Sequence, residues 1–298
     1  MNHRWYERME FWFVLALFVA FMWGVDGILA KLSTSKLGVA RIAVLIALVD
    51  GLMYFSAFYL WHSNVAISFD DALFATISCV VGTIAYLCFF ESIVRGQIAI
   101  VGTITAAYPA LTVIGAFVFL SETVTTTQAT ALTAIIGGVA VLAYQPNPHS
   151  RYATPRKSIF FATVAFALWG LWGLSAKIAI TRVGLAYMFA FYAISALTVP
   201  LLYAWLRASC TKQMNPERPP RTAWTLGVSA LAVNVIGVLA LSFALERGPA
   251  SLVVPISSAY PLVTIIMAVT LLREKLNRLH MLALAFVVIG LVLIGVTG

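Results

Sequence analysis

Asp26 stands inside an apolar run that extends from Phe11 to about Ser33, and Trp23 precedes it by three residues, on the same face of a helix. An ionisable group at that depth costs about 3 kcal/mol or more and marks either function or a partner. The stretch that carries it, "WGVDGILAK" (23–31), returns 146 residues later as "WGLWGLSAK" (169–177), with five of nine residues identical. The second copy holds Trp172 where the first holds Asp26, three residues after Trp169. If the two copies face one another, three indoles converge on one carboxylate. An anion beside aromatic faces suits an organic cation, which gains Coulomb and cation–π attraction in a dry site. The alternative is that Asp26 pairs with Lys31 or Lys177 and that the indoles are packing.

Other polar groups lie within apolar runs. Asp50, midway along the second run, is a candidate proton relay or a partner for a neighbouring hydroxyl. Glu91 lies four residues before Arg95, the spacing of a helical ion pair. Lys31 and Lys177 occupy matching places near run ends, where snorkelling to the interface is the default. Tyr108-Pro109 and Tyr260-Pro261 interrupt two runs at corresponding points. Proline removes a backbone donor and frees the carbonyl four residues earlier, here Thr105 and Ser257, so these breaks are candidate gating hinges. Tyr86, Tyr108, Asn234 and Tyr260 are further candidates for substrate contact. Cys79 and Cys88, nine residues apart, face different sides of a helix, and the four histidines fall near run ends, so no disulfide framework or metal site is expected. With no zinc motif, nucleotide-binding loop or nucleophile elbow, the chain is read as no enzyme, without a cofactor.

The elements that position these groups follow from composition. The chain is 62% hydrophobic and only 10% charged, too apolar to cover a soluble surface with polar groups. The net charge of +8 is spread over short loops and does not suggest nucleic acid. Bilayer-length runs of about 20 residues occur at 11–33, 38–61, 71–92, 97–120, 126–144, 157–180, 185–207, 222–246, 250–272 and 278–297. They are continuous, as helices require and barrel strands do not. The first is longer than a signal core and has no obvious cleavage site. The expected fold is all-α and integral to the membrane, with ten helices.

The proline-rich stretch "QPNPHSRYATPRK" (145–157) divides the chain into a first repeat, 1–145, a linker, 146–156, and a second repeat, 157–298. A second match supports the division. "RGQIAIVGTITAAYP" (95–109) aligns with "RGPASLVVPISSAYP" (247–261) at an offset of 152, with seven of fifteen residues identical, and Glu122 and Glu274 share that offset. An odd number of crossings per half inverts the second half relative to the first, the arrangement of secondary transporters with a site between repeats. Gly137, Gly138, Gly290 and Gly295 thin the fifth and tenth spans and permit close helix contacts.

The paired W-G-x-x-G stretches, the R-G turns and the glutamates that follow resemble the drug/metabolite transporter superfamily, EamA type. The resemblance covers nearly the whole chain. It implies a ten-helix basket with a central cavity lined by the first, third, fourth, sixth, eighth and ninth spans, and no one substrate. Of the 19 Lys and Arg residues, 14 fall on the face of the loop joining spans one and two and five on the face of the termini. The positive-inside rule then puts both termini outside the cytoplasm, opposite to typical members of the family. The expected function is secondary-active transport of a small metabolite across the inner membrane. An organic cation with proton coupling leads, and an amino-acid or drug exporter is the alternative. A membrane enzyme or a passive channel ranks below. Substrate and lipid are the implied partners, and the oligomeric state is not readable.

Overall fold

The computed structural model describes residues 3–61, 66–96, 101, 104–105, 107–143, 155–210, 219–263, 266 and 278–297. These are helical almost throughout. α1 is His3–Leu37, α2 Val39–Trp61, α3 Phe69–Arg95, α4 Tyr108–Phe119, α5 Thr126–Ala143, α6 Arg156–Cys210, α7 Arg221–Arg247, α8 Ala250–Ser257 and α9 Arg278–Thr297. Hydrocarbon offers no partner to a backbone N–H or C=O, so each segment must bond within itself.

Among the described residues, five helices are long and apolar enough to cross a membrane: Phe11–Leu37, Val39–Trp61, Phe69–Arg95, Arg156–Ala208 and Arg221–Arg247. At 55 residues, α6 is more than twice the length that a bilayer core needs. It is two rods joined at Gly184, whose backbone (φ 76°, ψ 166°) lies in a region essentially reserved for glycine. The two rods correspond to the expected sixth and seventh spans. The fourth and ninth expected spans are described in part, as α4 and as α8 with the turn that follows it. Leu52, Phe55, Tyr59 and Leu60 on α2 and Phe286 and Val292 on α9 lie open on the outer surface, as lipid-facing side chains do.

Between helices the contacts run through small residues. A Cβ on Gly24 of α1 would lie 3.0 Å from the Tyr260 carbonyl oxygen, and one on Gly170 of α6 would lie 3.2 Å from that of Tyr108. These are matching positions of the two motifs. Gly138 and Gly290 bring α5 and α9 together, since Cβ atoms there would meet Val287 and the Ala131 carbonyl at 2.6 and 2.7 Å. Gly137, by contrast, faces open space.

The junction between α7 and α8 is clamped. Glu122 accepts hydrogen bonds from the backbone N–H groups of Ala250 and Ser251, both at 2.9 Å, and so caps the N-terminus of α8 with a negative charge where the helix dipole favours one. Lys177 donates to the carbonyls of Leu245 (2.5 Å) and Gly248 (2.9 Å) at the C-terminus of α7. Its ammonium therefore caps a helix end in place of the expected snorkelling. The Trp12 ring packs on Gly248, where a Cβ would lie 2.7 Å from it. At the other end of the helices Ser92 and Ser158 bond each other's carbonyls at 2.8 and 3.0 Å. There Glu91 is held by Arg95, as the spacing predicts, and also by Tyr203 and Arg207.

The contrast between adjacent glycines is testable. Gly138→Leu drives a side chain into α9, and overpacking of this kind costs about 1–3 kcal/mol. It should lower the melting temperature in detergent, whereas Gly137→Leu should not. Equal effects would mean that α5 packs on another face.

Candidate functional site

α1 carries Asp26 into the interior, where it is 8% exposed. Its Oδ2 accepts a hydrogen bond from Asn234 Nδ2 of α7 at 3.2 Å. Its Oδ1 is buried and has no hydrogen-bond partner among the described residues. One turn earlier, Trp23 lays its indole on bare backbone: a Cβ on Gly237 would lie 2.6 Å from Nε1. The ring also meets Tyr260 edge-on, with centroids 6.5 Å apart. Tyr260 and Tyr86 both lie within electrostatic range of Asp26.

Asp50 of α2 is 4% exposed and within the same range of Asp26. It too leaves one carboxylate oxygen, Oδ1, buried without a partner among the described residues. No cation of the described residues forms an ion pair with either acid. Lys177 is engaged at the end of α7, and the Lys31 side chain lies outside the described residues. Unsatisfied polar atoms of this kind are expensive in a dry interior.

The second motif builds a different environment. Trp169 packs on Phe89 of α3 and Tyr108 of α4, with centroids 5.3 and 5.9 Å away. Trp172 packs on Gly82 of α3, where a Cβ would lie 2.7 Å from the ring, and faces Tyr192 at 6.5 Å. The contacts of these two indoles run to α3, α4 and the second rod of α6. The convergence of all three on Asp26 is not among the described contacts, and Trp23 alone shares its neighbourhood. Trp23 thus meets Tyr260 and Trp169 meets Tyr108. Both tyrosines sit at helix breaks. Pro109 occupies the first turn of α4 after a turn at Ala107. α8 ends at Ser257, and the helix resumes at Tyr260 with Pro261 after a turn at Ser258 and Ala259.

The comparison with known families decides the class. The EamA-like transporter family matches residues 10–144 and again 156–296. The chain belongs to the EamA-like transporter family. It is therefore a multi-pass membrane protein of the drug/metabolite transporter type. A solved structure described as a crystal structure of a protein is similar over 96% of this chain and 99% of its own, with a TM-score of 0.76 at 15% sequence identity, a likeness of fold. An uncharacterised protein of Methanocaldococcus jannaschii is 39% identical over 73 residues, 24% of this chain. The chain spans about half the length of that relative, 53% of it.

Within this EamA-like chain, several contacts between the helices went unnoticed in the sequence. Tyr54 lies one turn after Asp50, and its ring stacks on Tyr192 at 5.2 Å. The hydroxyls of Ser78 and Ser175 (2.8 Å) and of Thr83 and Ser195 (2.7 Å) bridge α3 to α6. Gly82 and Gly237 carry no side chain to attract notice, yet they seat the indoles.

The seating of Trp23 predicts a compensating pair. Gly237→Leu alone should destabilise the protein by about 1–3 kcal/mol through overpacking. Combined with Trp23→Ala it should cost less than the sum of the single changes, as residues in contact do. Additive effects in thermal unfolding would separate the two residues.

Proposed function

We propose that the protein is a secondary-active transporter of a small organic cation, working by alternating access, with Asp26 as the counter-charge. One observation carries this: a buried carboxylate with one oxygen held by Asn234 and the other without a partner among the described residues, beside Trp23 and Tyr260. An ammonium or guanidinium group would complete its coordination and gain from the ring faces.

In this proposal residues 1–145 and 157–298 are inverted repeats that rock about the site. Tyr86, Tyr108, Trp169 and Trp172 extend the binding surface. Pro109 and Pro261 serve as hinges, because each stands at a break in a helix, where proline cannot donate to the preceding turn. Asp50, a second buried acid with one carboxylate oxygen lacking a partner among the described residues, takes part in proton coupling with Asp26. The membrane is the cell's inner membrane, with the termini on the non-cytoplasmic face as the charge bias directs. An amino acid would present an ammonium to Asp26 as well, and the same assay separates it from a simple amine.

In proteoliposomes with an imposed proton gradient, the wild type should accumulate a cationic amine, and Asp26→Asn should abolish uptake while the purified variant keeps its elution profile and helical spectrum. Uptake that survives the substitution removes Asp26 from the mechanism. Equilibration without accumulation would mark a channel or uniporter.

A further inference from the structure

Gly38 and Gly184 stand 146 residues apart, and both hold a positive φ, 74° and 76°. They mark matching turns, so α2 answers to the second rod of α6 position by position, and Trp61 answers to Arg207. At the offset of 152 that aligns the R-G turns, α3 answers to α7, and Glu91 answers to Phe243. These matched positions touch in both halves. Glu91 meets Arg207 at 3.2 Å, and Phe243 meets Trp61 edge-on, with centroids 5.4 Å apart. The same contact of the repeat is thus made once as an ion pair and once as two rings.

Each contact belongs to a cluster that ties the first half of the chain to the second. Arg95 and Tyr203 hold the Glu91 carboxylate as well. Arg95 also lies over the Phe161 ring at 5.3 Å, and Ser92 and Ser158 join beside it. Around Phe243 stand Phe189, at 5.9 Å, and Arg247, whose guanidinium covers Phe11 at 5.2 Å. The Glu122 cap and a partly exposed Asp71–Arg182 pair at 3.6 Å lie at that end too. No buried ion pair does, among the described residues.

The clusters occupy opposite ends of the molecule. Phe189 and Tyr203 lie fourteen residues apart on one rod, about 21 Å at the rise of an α-helix. α1 and α7 run antiparallel between the two ends: Trp12 packs at Gly248 and Leu37 at Gly227, and Leu37 shares a core with Phe90 and Tyr203. Asp26 and Asn234 bond between those points. The clusters also part at different cost. Water entering between Glu91 and the arginines solvates the charges it separates, whereas water entering between the rings meets apolar surface.

We infer that the path to Asp26 is closed by an ionic contact at one end and an aromatic contact at the other. Glu91–Arg207 parts to open the site to one side of the membrane, and Trp61–Phe243 parts to open it to the other. The ionic end opens the more readily. This rests on the alternating access proposed above, in which one end opens only while the other is shut.

Hydrogen–deuterium exchange of the purified full-length protein, read by mass spectrometry, tests it, because alternation makes the two ends respond in opposite directions. Glu91→Gln and Arg207→Gln should speed exchange at residues 89–95 about tenfold or more, as loss of a charge-assisted hydrogen bond does, and slow it at residues 243–251. Trp61→Leu and Phe243→Leu should speed exchange at 243–251 about threefold or more and slow it at 89–95. Two variants at each end preserve the measurement if one misfolds. Faster exchange confined to the substituted end, or at both ends together, belongs to contacts that merely hold the fold and overturns the inference. Uptake of a cationic amine by the wild type is read separately in proteoliposomes. If the amine accumulates and exchange is not reciprocal, the carrier assignment stands and the two closures fall. If exchange is reciprocal and Asp26→Asn still takes up the amine, the closures stand and the site at Asp26 falls.

Discussion

In a hydrocarbon solvent, a polar group that leaves its helix must find another partner inside the protein, and the architecture turns on how this chain meets that demand. The α7–α8 junction shows it. At Gly248-Pro249 one helix ends and another begins, exposing carbonyls on one side and N–H groups on the other. Lys177 reaches the carbonyls and Glu122 the N–H groups. Two charges that would be costly alone are placed against opposite helix ends, where each is matched to the local dipole. The side chains come from α6 and from the segment after α4, so the junction also ties three parts of the chain together.

Much of this was legible in the sequence because the chain says it twice. Scattered leucines and valines locate helices but not neighbours. The repeated Trp-Gly motifs do more, since Gly24 and Gly170 both touch the carbonyl of the tyrosine before a helix-breaking proline. The breaks themselves were visible as Tyr-Pro at matching places. The Glu91–Arg95 pair followed from its spacing, although Tyr203 and Arg207, far along the chain, could not be foreseen. Lys177 was misjudged for a physical reason: a lysine near a span end has water in reach, and only tertiary structure shows that a helix terminus lies nearer.

The candidate site was legible as single residues rather than as an arrangement. Asp26 and Asn234 stood out as polar groups in apolar runs, and the structure joins them. The three tryptophans were grouped by their motif, but a shared motif fixes a shared local environment, not a shared partner. Each indole instead packs on its own small residue or ring. Those partners are silent in composition. A glycine in a membrane helix signals close approach without saying to what, and Gly82 and Gly237 acquire meaning only when an indole is found above them. Tyr54 and Tyr192 escaped notice because tyrosine is common in such chains and their spacing carries no repeat.

The turn at Gly184 has a further bearing. It is exposed, a Cβ there would meet nothing, and by space alone almost any residue would fit. The backbone angles decide otherwise. From a glycine codon, a single base change reaches alanine, serine, valine, aspartate, glutamate, arginine, cysteine or tryptophan, none of them at ease in that conformation. A side chain at this surface position would therefore strain the turn, so the residue is limited by backbone geometry instead of by crowding.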